Sequence, residues 1–190
     1  MLPRFWIRLS IAGALMLSGV VLAGARSKVA LQNGGLHRTI SEPRQLCKGT
    51  PVPSLRGTIN LVSRNGLVFA NLVLGSLTFG ARTAAQLNRL GHDTTAVAVI
   101  GSVESGSVLF MVAALLPHAL LEMGAFLGAG ATGLGLTVLI VRSLKHWEWP
   151  PREDLFQISR ELRNAFLLLI LAALVEECVT PIAMSWSLGC

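Results

Sequence analysis

The feature that most constrains this chain is a series of long apolar stretches with few charged residues inside them. Of its 190 residues, 52% are apolar, only 14% are charged and 19 are glycine. A soluble domain of this size needs more charge on its surface, whereas a membrane-crossing helix needs about 20 mainly apolar residues. The sequence therefore predicts one all-α domain, a polytopic membrane helical bundle with about five transmembrane helices.

The predicted spans cover residues 5–25, 58–82, 94–116, 117–141 and 164–186, with Pro117 marking the start of a helix. Residues 26–57 are predicted to form an outer loop, and the charged residues 142–163 a cytoplasmic loop with an interfacial helix at its end. The first run can also be read as a signal peptide, because small residues follow its apolar stretch. We favour an uncleaved anchor because further spans follow.

Charge distribution indicates topology. The net charge is +6, but the basic residues lie in short segments that flank the apolar runs. This pattern is typical of topology signals and of contact with anionic lipid head groups, so the bilayer and other membrane or envelope proteins are the expected partners and nucleic acid is not. It favours a bacterial cytoplasmic membrane location with the N-terminus in the cytoplasm and the C-terminus outside, although the outer loop carries six Lys or Arg. Homo-oligomerisation is left open.

Cys47, Cys178 and Cys190 match no zinc or haem motif, and no cofactor is expected. Cys178 lies in an apolar run and is predicted to be a small packing residue. In the predicted topology Cys47 and Cys190 share the outer face, where they either form a disulfide or remain two free thiols.

The second span is unusually polar on one face. Within an arc of roughly 60° on a helix of 100° per residue it carries Asn60, Arg64, Asn71, Gly75 and Thr78. Lipid does not tolerate such a surface, so this face is predicted to look into the bundle.

The fourth predicted span carries small residues at helical spacing. Gly124 and Gly128 are four apart, as are Ala125, Ala129 and Gly133. Stripes of small residues let two helix backbones approach closely, so they predict contacts between helices.

Several ionisable residues fall where hydrocarbon is expected, and they are the candidate site residues: Arg64, Glu104, Glu122, Glu176, Glu177 and, at a predicted helix start, His118. A charge there costs a few kcal/mol unless it is paired or protonated. In a structural interpretation, Arg64 pairs with one of the glutamates. In a functional one, His118 and Glu122, four apart on one helix face, relay protons. A third metal ligand is missing nearby, so no metal site is predicted.

Three segments carry a family resemblance: Arg64-Asn65 with Gly75 and Gly80, Leu116-Pro117-His118-Ala119 with Glu122, and Glu176 with Thr180-Pro181. In that order they resemble the Asn-Asn helix, the Pro-His-Gly-x-x-Glu motif and the Glu-x-x-x-Thr-Pro ending of the stage II sporulation protein M family of bacterial membrane proteins. The middle motif is the most specific, with Ala119 in place of its glycine. The resemblance implies a five-span fold and, for the sporulation member, a scaffold that holds cell-wall-degrading enzymes at the membrane during engulfment.

Two functions remain open at this point. The first is a membrane scaffold or accessory subunit that organises partner proteins through the first loop or residues 142–163, favoured because no complete catalytic set is present. The second is a transporter, an export accessory or a cofactor-free acid–base enzyme built from His118, Glu122, Arg64, Glu104 and Glu176. Whether these side chains converge in three dimensions distinguishes the two.

Overall fold

The computed structural model describes the backbone of residues 5–32, 53–105 and 108–187, and the side chains of residues 5–24, 53–95 and 115–183. In these residues the secondary structure is helical, with no strand. The helices are α1 (Phe5–Gln32), α2 (Leu55–Leu74), α3 (Ala81–Ser105), α4 (Val108–His146), α5 (Arg152–Cys178) and α6 (Thr180–Ser187). A 3₁₀ turn, Gly75–Thr78, extends α2.

Helices α1 to α5 alternate in direction, and α4 contacts each of the other five helices. Arg8, near the start of α1, donates a hydrogen bond to the carbonyl of Ala131 in the second half of α4. His118, in the first half of α4, lies against Thr180 just beyond the end of α5. One end of the bundle therefore holds the starts of α1, α3 and α5, and the opposite end holds the starts of α2 and α4.

Three of the described helical segments are long and apolar enough to cross a membrane: Phe5–Gly24, Leu55–Thr78 and Leu115–His146. The all-α membrane fold predicted from composition is therefore confirmed. The total of five spans stays a prediction, because α3 and α5 carry too many polar residues to meet the same criterion within the described residues.

Several predicted helix boundaries are wrong. Helix α4 continues through Pro117, which was predicted to begin a new span. Helix α3 begins at Ala81, so the predicted connector before residue 94 is helical. Within the predicted cytoplasmic segment 142–163, only residues 147–151 lie between α4 and α5, and the predicted interfacial helix is the first part of α5. A proline removes one backbone hydrogen bond, which in isolation favours the end of a helix. In a membrane bundle, neighbouring helices compensate for the lost bond, so α4 continues past Pro117.

A tight turn joins α2 to α3. Phe79 and Gly80 both adopt left-handed backbone conformations, with φ of 51° and 81°. Glycine takes this conformation without a steric penalty, which explains Gly80. The turn is fixed by Thr83, whose buried hydroxyl donates to the carbonyl of Leu72 over 2.9 Å.

The small-residue stripes of α4 make the close helix contacts that their spacing predicted. A Cβ added at Gly133 would lie 2.5 Å from the Leu72 carbonyl oxygen in α2, and one at Gly128 would lie 2.9 Å from the Ala165 Cβ in α5. Ala125 and Ala129 are completely buried. The two stripes therefore lie on different sides of α4 and let α5 and α2 each approach closely, because the stripes carry almost no side-chain volume.

The polar face of α2 does not look into the bundle as predicted. Asn60, Arg64 and Thr78 are exposed, while Asn71 is half-buried and accepts a hydrogen bond from Arg82 over 2.9 Å. Only Gly75 is buried. Helix α2 instead buries the apolar side chains of Phe69 and Leu72, because these reach the core cluster around α4.

Candidate functional site

Two family-like motifs, separate in the sequence, meet between α4 and the junction of α5 with α6. His118 Nδ1 lies 3.1 Å from the Thr180 hydroxyl oxygen, within hydrogen-bonding distance. Both side chains are buried. A buried histidine needs a hydrogen-bond partner, and Thr180 provides one from another helix.

The carboxyl groups of Glu122 on α4 and Glu176 on α5 lie close enough to each other to interact electrostatically. Glu122 follows His118 by four residues on α4, and Glu176 precedes Thr180 by four residues, so antiparallel packing sets the two pairs opposite each other. Glu122 is half-buried, and its carboxyl group interacts electrostatically with that of Glu176. We call His118, Glu122, Glu176 and Thr180 the motif cluster. An imidazole, a hydroxyl and two carboxyl groups can together accept, hold and donate protons.

Pro181 explains why Thr180 turns toward α4. Because proline has no backbone N–H, it cannot donate to the Glu177 carbonyl, so the regular series of helical hydrogen bonds is interrupted here. Helix α5 accordingly ends at Cys178, and α6 begins at Thr180. Thr180 lies at this break, where its side chain reaches His118.

Glu177 has a separate role at the start of α2. Its carboxylate accepts hydrogen bonds from the Ser54 backbone N–H over 2.9 Å and from the Ser54 hydroxyl over 3.2 Å. Ser54 is the N-cap of α2 and accepts a bond from the Gly57 N–H. A carboxylate at a helix N-terminus is also favoured by the helix dipole. Glu177 therefore links α5 to the start of α2 and does not pair with Arg64.

The remaining candidates do not join the motif cluster. Among the described side chains, Arg64 makes no hydrogen bond and no ion pair, and it is exposed. Arg64 was predicted to pair with at least one of Glu104, Glu122, Glu176 and Glu177, and the structure excludes the last three of these as partners. The side chain of Glu104 lies outside the described residues, although its backbone belongs to α3.

Sequence reasoning missed the charged residue that is most deeply buried among the described side chains. Arg8, only 2% exposed, donates to the Glu161 carboxylate at 2.8 Å and so joins α1 to α5. Gln157 adds a hydrogen bond of 2.9 Å to the same carboxylate oxygen. A Cβ at Gly135 would collide with the Arg8 guanidinium, so that glycine makes room for it.

A signal for this ion pair was present in the sequence. Arg8 lies alone inside an apolar run, where an arginine needs a partner. Glu161 lies three residues after Ile158 and four before Ala165, both of which are buried. This spacing places Glu161 on the buried face of α5, whereas its charged neighbours in the sequence suggested a solvated loop.

The cysteine predictions have different outcomes. Cys178 is exposed at the end of α5, so its predicted packing role is wrong. Cys47 and Cys190 lie outside the described residues. Whether they form a disulfide stays a prediction.

The contact between His118 and Thr180 gives a direct prediction. Thr180→Val keeps the side-chain shape but removes the hydroxyl, leaving the buried imidazole without this partner and lowering the free energy of unfolding by about 1–3 kcal/mol. Thr132→Val is the matched control, because the buried Thr132 hydroxyl bonds the Gly128 carbonyl of its own helix. Thermal unfolding in detergent measures both. Equal melting temperatures for the two variants would contradict a stabilising contact between α4 and α6.

The fold and the motif cluster define a helical membrane protein in which polar residues of neighbouring helices converge between its apolar segments. The sequence model of the family described as Stage II sporulation protein M matches residues 11–181. Because the match covers most of the chain, the chain belongs to the stage II sporulation protein M family, and the resemblance carried by the three motifs is confirmed. No curated protein and no solved structure matches it.

Proposed function

We propose that this chain is an integral membrane scaffold or accessory subunit that organises partner proteins at the cytoplasmic membrane. The observation that carries the proposal is the exposed polar face of α2, formed by Asn60, Ser63 and Arg64. These residues lie inside the candidate span Leu55–Thr78. A surface that is unfavourable toward lipid is explained if another membrane protein covers it.

Arg64 defines the chemistry of the expected partner. It lies nine residues beyond Leu55, about 14 Å along the helix axis, and about 21 Å from Thr78. An arginine at that depth costs a few kcal/mol when it faces lipid and is stabilised by a carboxylate at the same depth. The proposed partner is therefore a transmembrane helix with an Asp or Glu near its middle. A second copy of this chain is the alternative outcome of the test.

The proposal predicts that Arg64→Leu releases the partner while leaving the isolated protein as stable as the unchanged chain. Because Arg64 has no ion-pair partner among the described side chains, its loss strands none of the described carboxylates. We expect purification from native membranes in mild detergent to recover a stoichiometric membrane protein with the unchanged chain and not with the variant. Melting temperatures of the two purified chains should agree.

A photo-crosslinking amino acid makes the test specific to this face. Placed at Ser63, it should give one defined adduct in native membranes, and Arg64→Leu should abolish that adduct. The same probe at Leu167, an exposed apolar position on α5, is the control and should not give the adduct. A monodisperse monomer without adducts, or an adduct unaffected by Arg64→Leu, would overturn the assignment of this face.

The orientation of the bundle is part of the proposal. The alternation of α1 to α5 sets the N-terminus of α1 at the same end as Arg82, Arg142 and Arg152. Basic residues favour the cytoplasmic side, which supports a cytoplasmic N-terminus and an outer C-terminus. A cysteine introduced at Trp147, in a variant without other cysteines, should resist a membrane-impermeant maleimide in intact cells. Labelling there would reverse the orientation.

The motif cluster favours a second candidate function, a proton-linked site within the membrane. Its support is the meeting of the imidazole of His118 with the Thr180 hydroxyl, beside the facing carboxyl groups of Glu122 and Glu176. A transport or acid–base role requires these groups to change protonation. In the native host, Glu122→Gln should then give the phenotype of a strain that lacks this protein. The partner protein should still co-purify with the variant. Under the scaffold proposal alone, Glu122→Gln leaves the host phenotype unchanged.

A further inference from the structure

An apolar groove runs between α2 and α5. Its volume is about 580 Å³, and the α2 side contributes Gly66, Phe69 and Ala70, while α5 contributes Leu162 and Phe166. A Cβ added at Gly66 would meet no atom within 4 Å, so the groove is open there. Since these α2 residues belong to a candidate membrane span, the groove faces the acyl-chain region of a bilayer.

A second, polar groove adjoins the first along α5. Its volume is about 550 Å³, and its lining includes Arg160, Arg163, Gln157 and Glu153. Ser159 and Arg163 line both grooves, which therefore adjoin at these two side chains. Arg163 marks the boundary between the charged first half of α5 and its apolar second half.

The two arginines leave the polar groove with a positive charge. Both side chains are exposed, and among the described residues neither forms an ion pair. Glu153 is the single acidic residue of the lining, so the arginines exceed it by one charge. Guanidinium groups bind phosphate through paired hydrogen bonds, and Ser159 adds a hydroxyl.

We propose that these joined grooves bind an anionic phospholipid, with its phosphate at Arg160 and Arg163 and an acyl chain between α2 and α5. Neither groove alone identifies this ligand. An apolar channel that ends at a cationic pocket is complementary to one amphiphile, because the ligand needs a chain and a negative head group at a fixed separation. The site lies apart from Arg64 and from the motif cluster, and it does not depend on the proposed scaffold role.

Titration of dioleoyl phosphatidylglycerol into the detergent-solubilised full chain, followed by native mass spectrometry, tests the site. We expect a saturable first lipid that phosphatidylcholine does not replace. Arg160→Gln with Arg163→Gln should weaken this binding roughly 30-fold, from about 1 kcal/mol per basic contact. Lys145→Gln with Arg152→Gln removes the same charge from outside the grooves and should change affinity no more than about threefold.

Two further measurements separate a lipid site from an anion site. Gly66→Leu fills the apolar groove without touching either arginine and should weaken phosphatidylglycerol binding without lowering the melting temperature. Glycerol phosphate, which lacks acyl chains, should not compete. Equal losses in the two double variants would show surface attraction only, and effective competition by glycerol phosphate would show a free-phosphate site. Equal binding of phosphatidylcholine would also overturn the proposal.

Discussion

Replacing Arg8 by leucine is expected to lower the free energy of unfolding by about 3–5 kcal/mol, because it leaves the buried Glu161 carboxylate without its charged partner. The Arg8–Glu161 pair is 2.8 Å long, and its side chains are 2% and 10% exposed. Arg8 also donates to the Ala131 carbonyl, so one substitution removes polar links from α1 to both α4 and α5. We expect a large drop in the melting temperature, measured in detergent by circular dichroism.

The control for Arg8 is a second arginine–carboxylate pair in the same protein. Arg142 and Asp154 are 3.9 Å apart and more exposed, so Arg142→Leu should cost no more than about 1 kcal/mol. The double variant Arg8→Leu with Glu161→Leu removes the stranded charge and should recover much of the stability lost in Arg8→Leu. Similar melting temperatures for Arg8→Leu and Arg142→Leu would contradict the importance of the buried pair.

Alanine substitutions at two glycines of α1 are expected to change stability in opposite directions. A Cβ at Gly19 would lie 2.8 Å from the Asn88 carbonyl carbon and 2.9 Å from the His92 nitrogen in α3, so the helices must separate. Such overpacking costs about 1–3 kcal/mol. At Gly13 a Cβ meets nothing within 4 Å, and alanine should stabilise the helix by up to about 1 kcal/mol.

The measurement is the thermal unfolding of both glycine variants in the same detergent. The two substitutions are chemically identical and lie in one helix, so a difference in melting temperature reports the packing around each glycine. Gly91 on α3 provides a reciprocal test, because a Cβ there would collide with the Met16 carbonyl of α1. We expect Gly91→Ala to resemble Gly19→Ala. Equal stability of Gly19→Ala and Gly13→Ala would contradict the close packing of α1 against α3.

Features that depend on the composition or spacing of a single segment could be predicted from the sequence. The membrane class follows from the apolar runs, and the close contacts of α4 follow from the four-residue spacings of Gly124 with Gly128 and of Ala129 with Gly133. Pro117 shows the limit of local rules, because the helix continues through it. Tertiary support replaces one missing backbone bond in a bundle, and no local pattern reports that support.

Features that depend on which helices meet could not be predicted. The sequence marked Arg64 as a charge in need of a partner, but no local pattern indicates whether that partner belongs to this chain or, as we propose, to another protein. Arg8 and Glu161 are 153 residues apart, and their pairing depends on the order in which the helices pack. The sequence singled out both His118 and Thr180, because each belongs to a family-like motif. Their contact could not be predicted, because only the three-dimensional fold brings the two motifs together.

The long separation between Arg8 and Glu161 has a consequence for how the protein is made. The ribosome adds roughly 5–20 residues per second, so the 153 residues between them take about 8–30 s to synthesise. During that interval α1 is already available to the insertion machinery, while its arginine lacks a counter-charge and is most stable at the lipid head groups. The final position of the first helix is therefore settled only when the fifth arrives, and a nascent chain released before residue 161 would have an incompletely inserted N-terminus.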